Sequence, residues 1–396
     1  MAGQREVVIL SGVRTAIGDY GGSLKDFAPT DLGARVVREA VARATVDPKD
    51  VGQCIFGNVV HGEPKDMYLS RVAAVRGGLP FESGAMTLNR LCGSGLQAIV
   101  SAAQYILLGD TDAAIGGGAE SMSRAAYADL SQRWGARMGD AKVVDMMVGA
   151  LTDPFDTVHM GVTAENIANK CGLTREMQDA FSVESHRRAA AAQAAGHFKD
   201  QILPVEVKTK KGPVAFAHDE HVRSDVTIEG LAKLKAVFAK ENGTVTAGNA
   251  SGINDAAAAV VLMERKAAEQ RGLKPMARLI TYGHAGIDSK IMGLGPVSAV
   301  KNALKKAELT LADIDVIESN EAFAAQALGV NKELGLDPAK VNPNGGAVAL
   351  GHPIGATGTI LTVKCLYELQ RTGKRYGLIT MCIGGGQGIA AVIERM

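Results

Sequence analysis

The chain has 396 residues, 46% of them hydrophobic and only 4% aromatic, with 47 glycines. This length predicts two or three domains, and the Ala/Gly/Val-rich balance favours closely packed α/β layers over an aromatic-rich sandwich. Lys plus Arg (43) against Asp plus Glu (42) leaves a formal charge of +1, which supplies no global field for nucleic acid or an anionic membrane.

In chain order, residues 7–10 read as a buried strand, and residues 31–44 carry apolar side chains at helical spacing (Leu32, Val36, Val37, Ala40, Val41, Ala44). Residues 86–91 read as a strand running into Cys92, with a helix beginning near Gly95. Residues 111–115 predict another strand, closed by Gly116-Gly117-Gly118. This βαβ texture gives way between Met122 and Ala247 to irregular segments that mix methionines, Trp134 and charges. Within them Thr174 caps a helix running to Gly196, and residues 208–211 form a solvated, Lys-rich turn. From Gly248 the βαβ texture returns. The expected domains are an N-terminal half (1–121) carrying Cys92, an inserted loop domain (122–247), and a C-terminal half with a returning core segment (248–396). Residues 37–44 recur in pattern at 300–307, and both stretches then enter a strand. Two similar halves facing each other, with a site between them, would produce this repeat.

The cysteines are Cys54, Cys92, Cys171, Cys365 and Cys382, with no CxxC spacing. Neither a disulfide framework nor a metal site is indicated, and a reducing, cytoplasmic setting fits. The N-terminus lacks a signal-peptide layout, and the apolar stretch 98–108 is too short to cross a bilayer. The C-terminus carries no lipidation motif.

Candidate chemistry collects at strand ends. Cys92 lies between a strand and a helix start, where free N–H groups would push a thiol toward thiolate. His352 sits in Gly351-His352-Pro353-Ile354-Gly355, on a loop where a neutral imidazole could take a proton from a thiol. Cys382 opens into a Gly384-Gly385-Gly386 turn whose N–H groups suit an oxyanion hole. Asn320 follows a strand at 316–317, where it would either orient a carbonyl oxygen or cap the next helix. A competing reading takes Gly93-Ser94-Gly95-Leu96-Gln97-Ala98 as a dinucleotide fingerprint of a nicotinamide oxidoreductase, with Asp112 near the acidic position.

Asn89-Arg90-Leu91-Cys92-Gly93-Ser94-Gly95, Asn320-Glu321-Ala322-Phe323-Ala324, Gly351-His352-Pro353-Ile354-Gly355 and Met381-Cys382-Ile383-Gly384-Gly385-Gly386 resemble the four signature blocks of thiolases, in order along the chain. Asn249-Ala250-Ser251-Gly252 and the stretch 160–166 extend the resemblance, and His159-Met160 leans toward the bacterial biosynthetic branch. It implies two βαβαβαββ halves in a five-layer αβαβα core and a homotetramer built as a dimer of dimers. The implied activity is reversible condensation of short acyl-CoA thioesters, with no permanently bound cofactor. Degradation of longer ketoacyl chains and a non-catalytic acyl-CoA or lipid carrier of the same fold stand as alternatives. In the implied mechanism Cys92 is acylated, His352 is its base, Cys382 moves the α-carbon proton, Asn320 and His352 stabilise the enolate, and the Cys92 and Gly384 N–H groups hold the oxyanion. The coenzyme would contact His159, Met160, Arg223, Leu234, Phe238, Ala247, Ser251, Met292 and Phe323. Arg90, Ser319, Gly230 and Asn254-Asp255-Ala256 depart from the usual pattern. Arg90 and Ser319 bear on chain preference, and Gly230 on one coenzyme contact.

Overall fold

The computed structural model describes residues 5–396. Strand β1 (Val7–Thr15) is buried throughout and runs well past the apolar stretch that predicts it. Partners for its polar residues explain the extension. Ser11 Oγ donates to the Ala40 carbonyl at 2.7 Å, and Arg14 makes two bonds to the Asp219 carboxylate at 2.6 and 2.9 Å. A buried polar group is tolerated inside a sheet when its hydrogen bonds are made.

Helix α1 (Pro29–Ala44) starts two residues earlier than its apolar spacing indicates, because Pro29 is preorganised for the first helical position. It is followed by β2 (Val51–Gly57), α2 (Leu69–Gly77), β3 (Gly84–Leu88), α3 (Ser94–Leu108) and β4 (Ala113–Ser121). The inserted region contributes α4 (Met160–Cys171) and α5 (Arg175–Ala194), the latter capped by Thr174 Oγ1 accepting from the Met177 N–H. Its Lys-rich run closes the hairpin of Val205–Thr209 and Gly212–Phe216 in solvent. Then come β5 (Asn254–Glu264), β6 (Ala277–Gly286), α6 (Gly295–Ala307), β7 (Val316–Ser319), α7 (Ala324–Leu334), α8 (Thr357–Thr372), β8 (Tyr376–Ile383) and β9 (Gln387–Arg395).

The repeat seen in sequence is a repeat in structure. Helices α1 and α6 both end on a left-handed residue, Thr45 (φ 52°) and Glu308 (φ 55°). Each continues through a short 3-10 turn, Pro48–Asp50 or Leu311–Asp313, into β2 or β7.

Among the described residues these strands join in one eleven-stranded mixed sheet, ordered β7-β8-β9-β6-β1-β5-β4-β2-β3 along its main path. The two halves therefore meet edge to edge as well as face to face. Val7–Ile9 of β1 pair antiparallel with Ala277–Leu279 of β6. Helices α1 and α2 cover one outer face, α3 and α8 fill the space between the halves, and α6 with α7 covers the other outer face. The helix–sheet–helix–sheet–helix order is visible in the core itself. In β1, Val8 and Leu10 join the α1 cluster while Val7 and Ile9 join the central one. In β9, Ile389, Ala391 and Ile393 face the centre while Ala390 and Val392 face α6. The period of two, apolar on both faces, is what strands buried between helix layers require. The stretch Leu91–Leu108 is long and apolar enough to cross a membrane, but it is mostly buried between the halves as α3.

One expectation fails. Gly116, Gly117 and Gly118 do not close a strand; they lie inside β4. A Cβ at Gly117 would stand 2.4 Å from the Phe56 ring, and one at Gly118 would stand 2.2 Å from the Gly355 carbonyl oxygen. The glycines let β4 carry tightly packed neighbours on both faces. Gly118→Ala is expected to destabilise the protein by about 1–3 kcal/mol, since the clash is with backbone and cannot be relieved by a rotamer. The denaturant midpoint measures this, and an unchanged midpoint would contradict the packing described.

Candidate active site

Strand β3 ends at Leu88, earlier than the sequence indicates, and the chain then turns sharply toward α3. Leu91 adopts φ +45°, a conformation that costs a bulky residue about 1–2 kcal/mol. Local bonds hold it there. The Leu91 N–H donates to Asn89 Oδ1 at 2.9 Å. Ser94 Oγ accepts from the Arg90 N–H at 2.8 Å and donates to the Leu91 carbonyl at 2.7 Å. The turn brings the Cys92 thiol to its own N–H and to that of Gly384. Gly384 belongs to the turn between β8 and β9, where Gly385 and Gly386 take φ +81° and +89°. Cys382, at the end of β8, is fully buried and close enough to Cys92 for the two charges to repel.

The expectation that the helix start pushes the Cys92 thiol down is not met. Burial pushes it up to about 11, outweighing the two N–H groups. Burial first, then the neighbouring Cys92, pushes Cys382 up further. Each cysteine is therefore a thiol at neutral pH.

The candidate base is His352. His352 is 6% exposed, and burial holds its imidazole down to about 4, so it is neutral at pH 7. The His352 backbone N–H donates to Asn254 Oδ1 at 2.9 Å, and Gly351 (φ 105°) packs directly on that amide. His352 Nδ1 lies 2.7 Å from Thr357 Oγ1, which donates to the Pro353 carbonyl at 2.9 Å. With the hydroxyl proton so directed, Nδ1 is the donor and Nε2 keeps its lone pair. Asn320 Nδ2 stands 3.4 Å from Nε2. Asn320 is not a helix cap, because α7 begins at Ala324. It continues β7 beside β8, its N–H donating to the Thr380 carbonyl at 3.0 Å. Its Oδ1 is buried with no hydrogen-bond partner among the described residues.

A neutral Cys92 thiol has a measurable consequence. The rate of Cys92 alkylation by iodoacetamide is expected to rise with pH toward about 11. A plateau below the free-thiol range of about 8.5 would instead mean a preformed thiolate.

A cavity of about 620 Å³ leads to His352. Of the residues that the resemblance assigns to the coenzyme, His159, Arg223, Phe238, Ala247, Ser251 and Phe323 line it. The His159 and Phe238 rings stack at 4.7 Å, and Phe238 meets Phe323 edge-on at 6.3 Å. Leu234 lies outside the lining and is partly exposed. Met160 and Met292 belong to the core, where Met160 Cε lies 3.0 Å from where a Cβ on Gly384 would be. Gly230 is exposed at the start of a short helix, away from the cavity lining. Arg90 reaches Gln97 at 2.6 Å and Gln387 at 3.3 Å and is not part of the lining; Ser319 is buried beside Asn342. Thr357 and Asn254, which fix the His352 ring and backbone, carry no motif that marks them for that role.

The dinucleotide reading fails sterically. A Cβ on Gly93 would stand 2.5 Å from Ile383, and one on Gly95 would stand 2.8 Å from the Thr359 nitrogen. These glycines accommodate neighbouring protein, which leaves no room for a pyrophosphate. Among the described residues no group of three or more His, Cys, Asp or Glu side chains is placed to hold a metal ion.

The chain matches family models described as "Thiolase, N-terminal domain" over residues 7–266 and "Thiolase, C-terminal domain" over residues 273–395. It is 68% identical to the beta-ketothiolase BktB of Cupriavidus necator, over 99% of this chain and 100% of that protein. It is 52% identical to the acetyl-CoA acetyltransferase of Chromobacterium violaceum, over 98% of this chain and 100% of that protein. Human mitochondrial 3-ketoacyl-CoA thiolase, solved in complex with CoA, superposes with a TM-score of 0.96 at 44% identity, covering 99% of this chain and 98% of that one.

Proposed function

The chain belongs to the thiolase family, and we propose on that footing that it is an acetyl-CoA acetyltransferase and beta-ketothiolase working through Cys92. The observation that carries the reading is that four separate segments supply these groups in two clusters, joined where the Gly355 carbonyl packs against Gly95. The Cys92 thiol lies on the Gly384 N–H and beside Cys382, and the cavity leads to His352, whose free ring nitrogen faces Asn320.

In the cleavage direction His352 Nε2 takes the Cys92 proton, and the sulfur attacks the 3-keto carbonyl of a short 3-ketoacyl-CoA. The Cys92 and Gly384 N–H groups hold the resulting oxyanion. Its collapse breaks the C2–C3 bond and leaves acyl-Cys92 and the enolate of acetyl-CoA. Asn320, through a water, and His352 stabilise the enolate oxygen. Cys382 gives its proton to the enolate carbon. Its raised pKa keeps that proton in place until it is needed. Free CoA then gives its own proton to the Cys382 thiolate and attacks acyl-Cys92. The released Cys92 sulfur recovers its proton from His352. Condensation is the same sequence reversed.

CoA thioesters are the substrates, and the chemistry needs no permanently bound cofactor. The pantetheine arm runs along the His159, Phe238 and Phe323 rings, with Arg223 at a phosphate. A carrier without catalysis has no use for a buried neutral imidazole and a second thiol close to Cys92. Residues 122–247 act as a loop domain serving the coenzyme and subunit contacts. The assembly is a homotetramer, a dimer of dimers. Support comes from the open edge of β3 and from the excursion between the paired strands Tyr127–Asp129 and Val143–Asp145, which exposes Leu130 (79%), Trp134 (88%) and Met138 (98%). Five unbridged cysteines support a cytoplasmic location.

The test is CoA-dependent loss of acetoacetyl-CoA, repeated with Cys92→Ser and with 3-ketovaleryl-CoA. Cleavage that vanishes in the variant supports the reading. A well-folded protein that cleaves neither ketoacyl-CoA would overturn it.

A further inference from the structure

Glu120, near the end of β4, is fully buried yet has no basic partner among the described residues. Its carboxylate instead accepts from four N–H groups. Asn58 Nδ2 and the Val60 N–H reach Oε1 at 2.8 and 3.1 Å, and the Val59 and Gly355 N–H groups reach Oε2 at 3.0 and 2.8 Å. The first three donors follow β2. Gly355 belongs to the loop of the other half, between His352 and its orienting Thr357.

The other side of the Gly355 peptide is equally confined. Its carbonyl oxygen would lie 2.2 Å from a Cβ on Gly118, 2.7 Å from one on Gly57 and 3.0 Å from one on Gly95. The peptide is thus wedged among strand and helix ends of the N-terminal half and bonded there by a single carboxylate. Glu120 also lies close enough to oppose charge on Cys92, as Asp255 of β5 opposes charge on Glu120.

We infer that Glu120 is a positioning residue for the reaction. Its carboxylate pins the His352 loop to the loop that follows β2, where the Gly355 carbonyl packs against the first turn of α3. Glutamine in its place keeps the size but presents an NH₂ group to N–H donors, so it releases the Gly355 peptide and removes the charge. Aspartate keeps the charge but is one methylene too short to bridge the β2 loop and Gly355.

The inference rests on the thiolytic reading of Cys92 and His352. Alkylation of Cys92 needs no turnover, so the two can fail separately. The experiment compares wild type, Glu120→Gln and Glu120→Asp by kcat and KM for acetoacetyl-CoA cleavage, and by the pH dependence of Cys92 alkylation with iodoacetamide. Both variants are expected to lose about 100-fold in kcat with KM near the wild-type value, as a misplacement of about 1 Å would produce. The alkylation midpoint should move to lower pH in Glu120→Gln, where the opposing charge is gone, and stay in place in Glu120→Asp. A merely structural role would move neither midpoint and would lower only the stability. A kcat for Glu120→Asp within about threefold of wild type overturns the inference, as does an unmoved midpoint in Glu120→Gln. If the glutamine variant does not fold, the aspartate kcat decides.

Discussion

Cys92→Ser is expected to lower CoA-dependent cleavage of acetoacetyl-CoA by about 10⁴-fold, with the fold intact. The serine oxygen fits the place of the sulfur, and the turn is held by Asn89 and Ser94 and not by the thiol itself. What is lost is nucleophilicity. A thiol raised to about 11 is within reach of a neutral imidazole once a substrate carbonyl accepts the developing charge. A serine hydroxyl, far less acidic, is not. The measurement is the initial rate of acetoacetyl-CoA loss, with melting temperature as the control for folding. A folded variant within about tenfold of wild type would show that acyl transfer does not pass through Cys92.

Cys382→Ala should separate the two stages. Exchange of labelled CoA with acetyl-CoA moves no proton at carbon, and without Cys382 the CoA thiol proton passes to His352 and on to the released Cys92 sulfur, so exchange is expected to outlast condensation. Condensation and cleavage both require a proton to move at the α-carbon, and each should fall by about 10³-fold. Cys382 lies deep in the core between β8 and the glycine turn, and alanine there leaves only the space of one sulfur. Loss of exchange in step with condensation would assign Cys382 to acylation instead. Unimpaired condensation would remove it from the mechanism.

The outline of this molecule was legible because its strands are buried on both faces and its helices on one, and those burial patterns write their periods into the sequence. The repeat between residues 37–44 and 300–307 was readable for the same reason, since two helices of the same role end on left-handed residues and feed equivalent strands. The candidate residues stood out because Cys92, His352 and Cys382 sit among glycines and Asn320 directly follows a strand, where ligand sites of α/β sheets collect. Local sequence misled where a residue answers to a distant neighbour. Gly116-Gly117-Gly118 looked like a strand end, yet these glycines make room for Phe56 and for the Gly355 peptide. Met160 and Met292, expected from the family pattern to touch the coenzyme, are buried, Met160 directly beside the Gly384 turn.

The sequence by itself determined the layered α/β texture, the doubled plan and the identity of the four chemical segments, because backbone propensity and burial period are local properties. Only the tertiary structure decided that the halves share one sheet through β1 and β6, that both cysteines rest as thiols, and that Glu120 holds the His352 loop. The state of a thiol depends on how much water the surrounding chain removes from it. That sum is taken over segments hundreds of residues apart, and no window of sequence contains it.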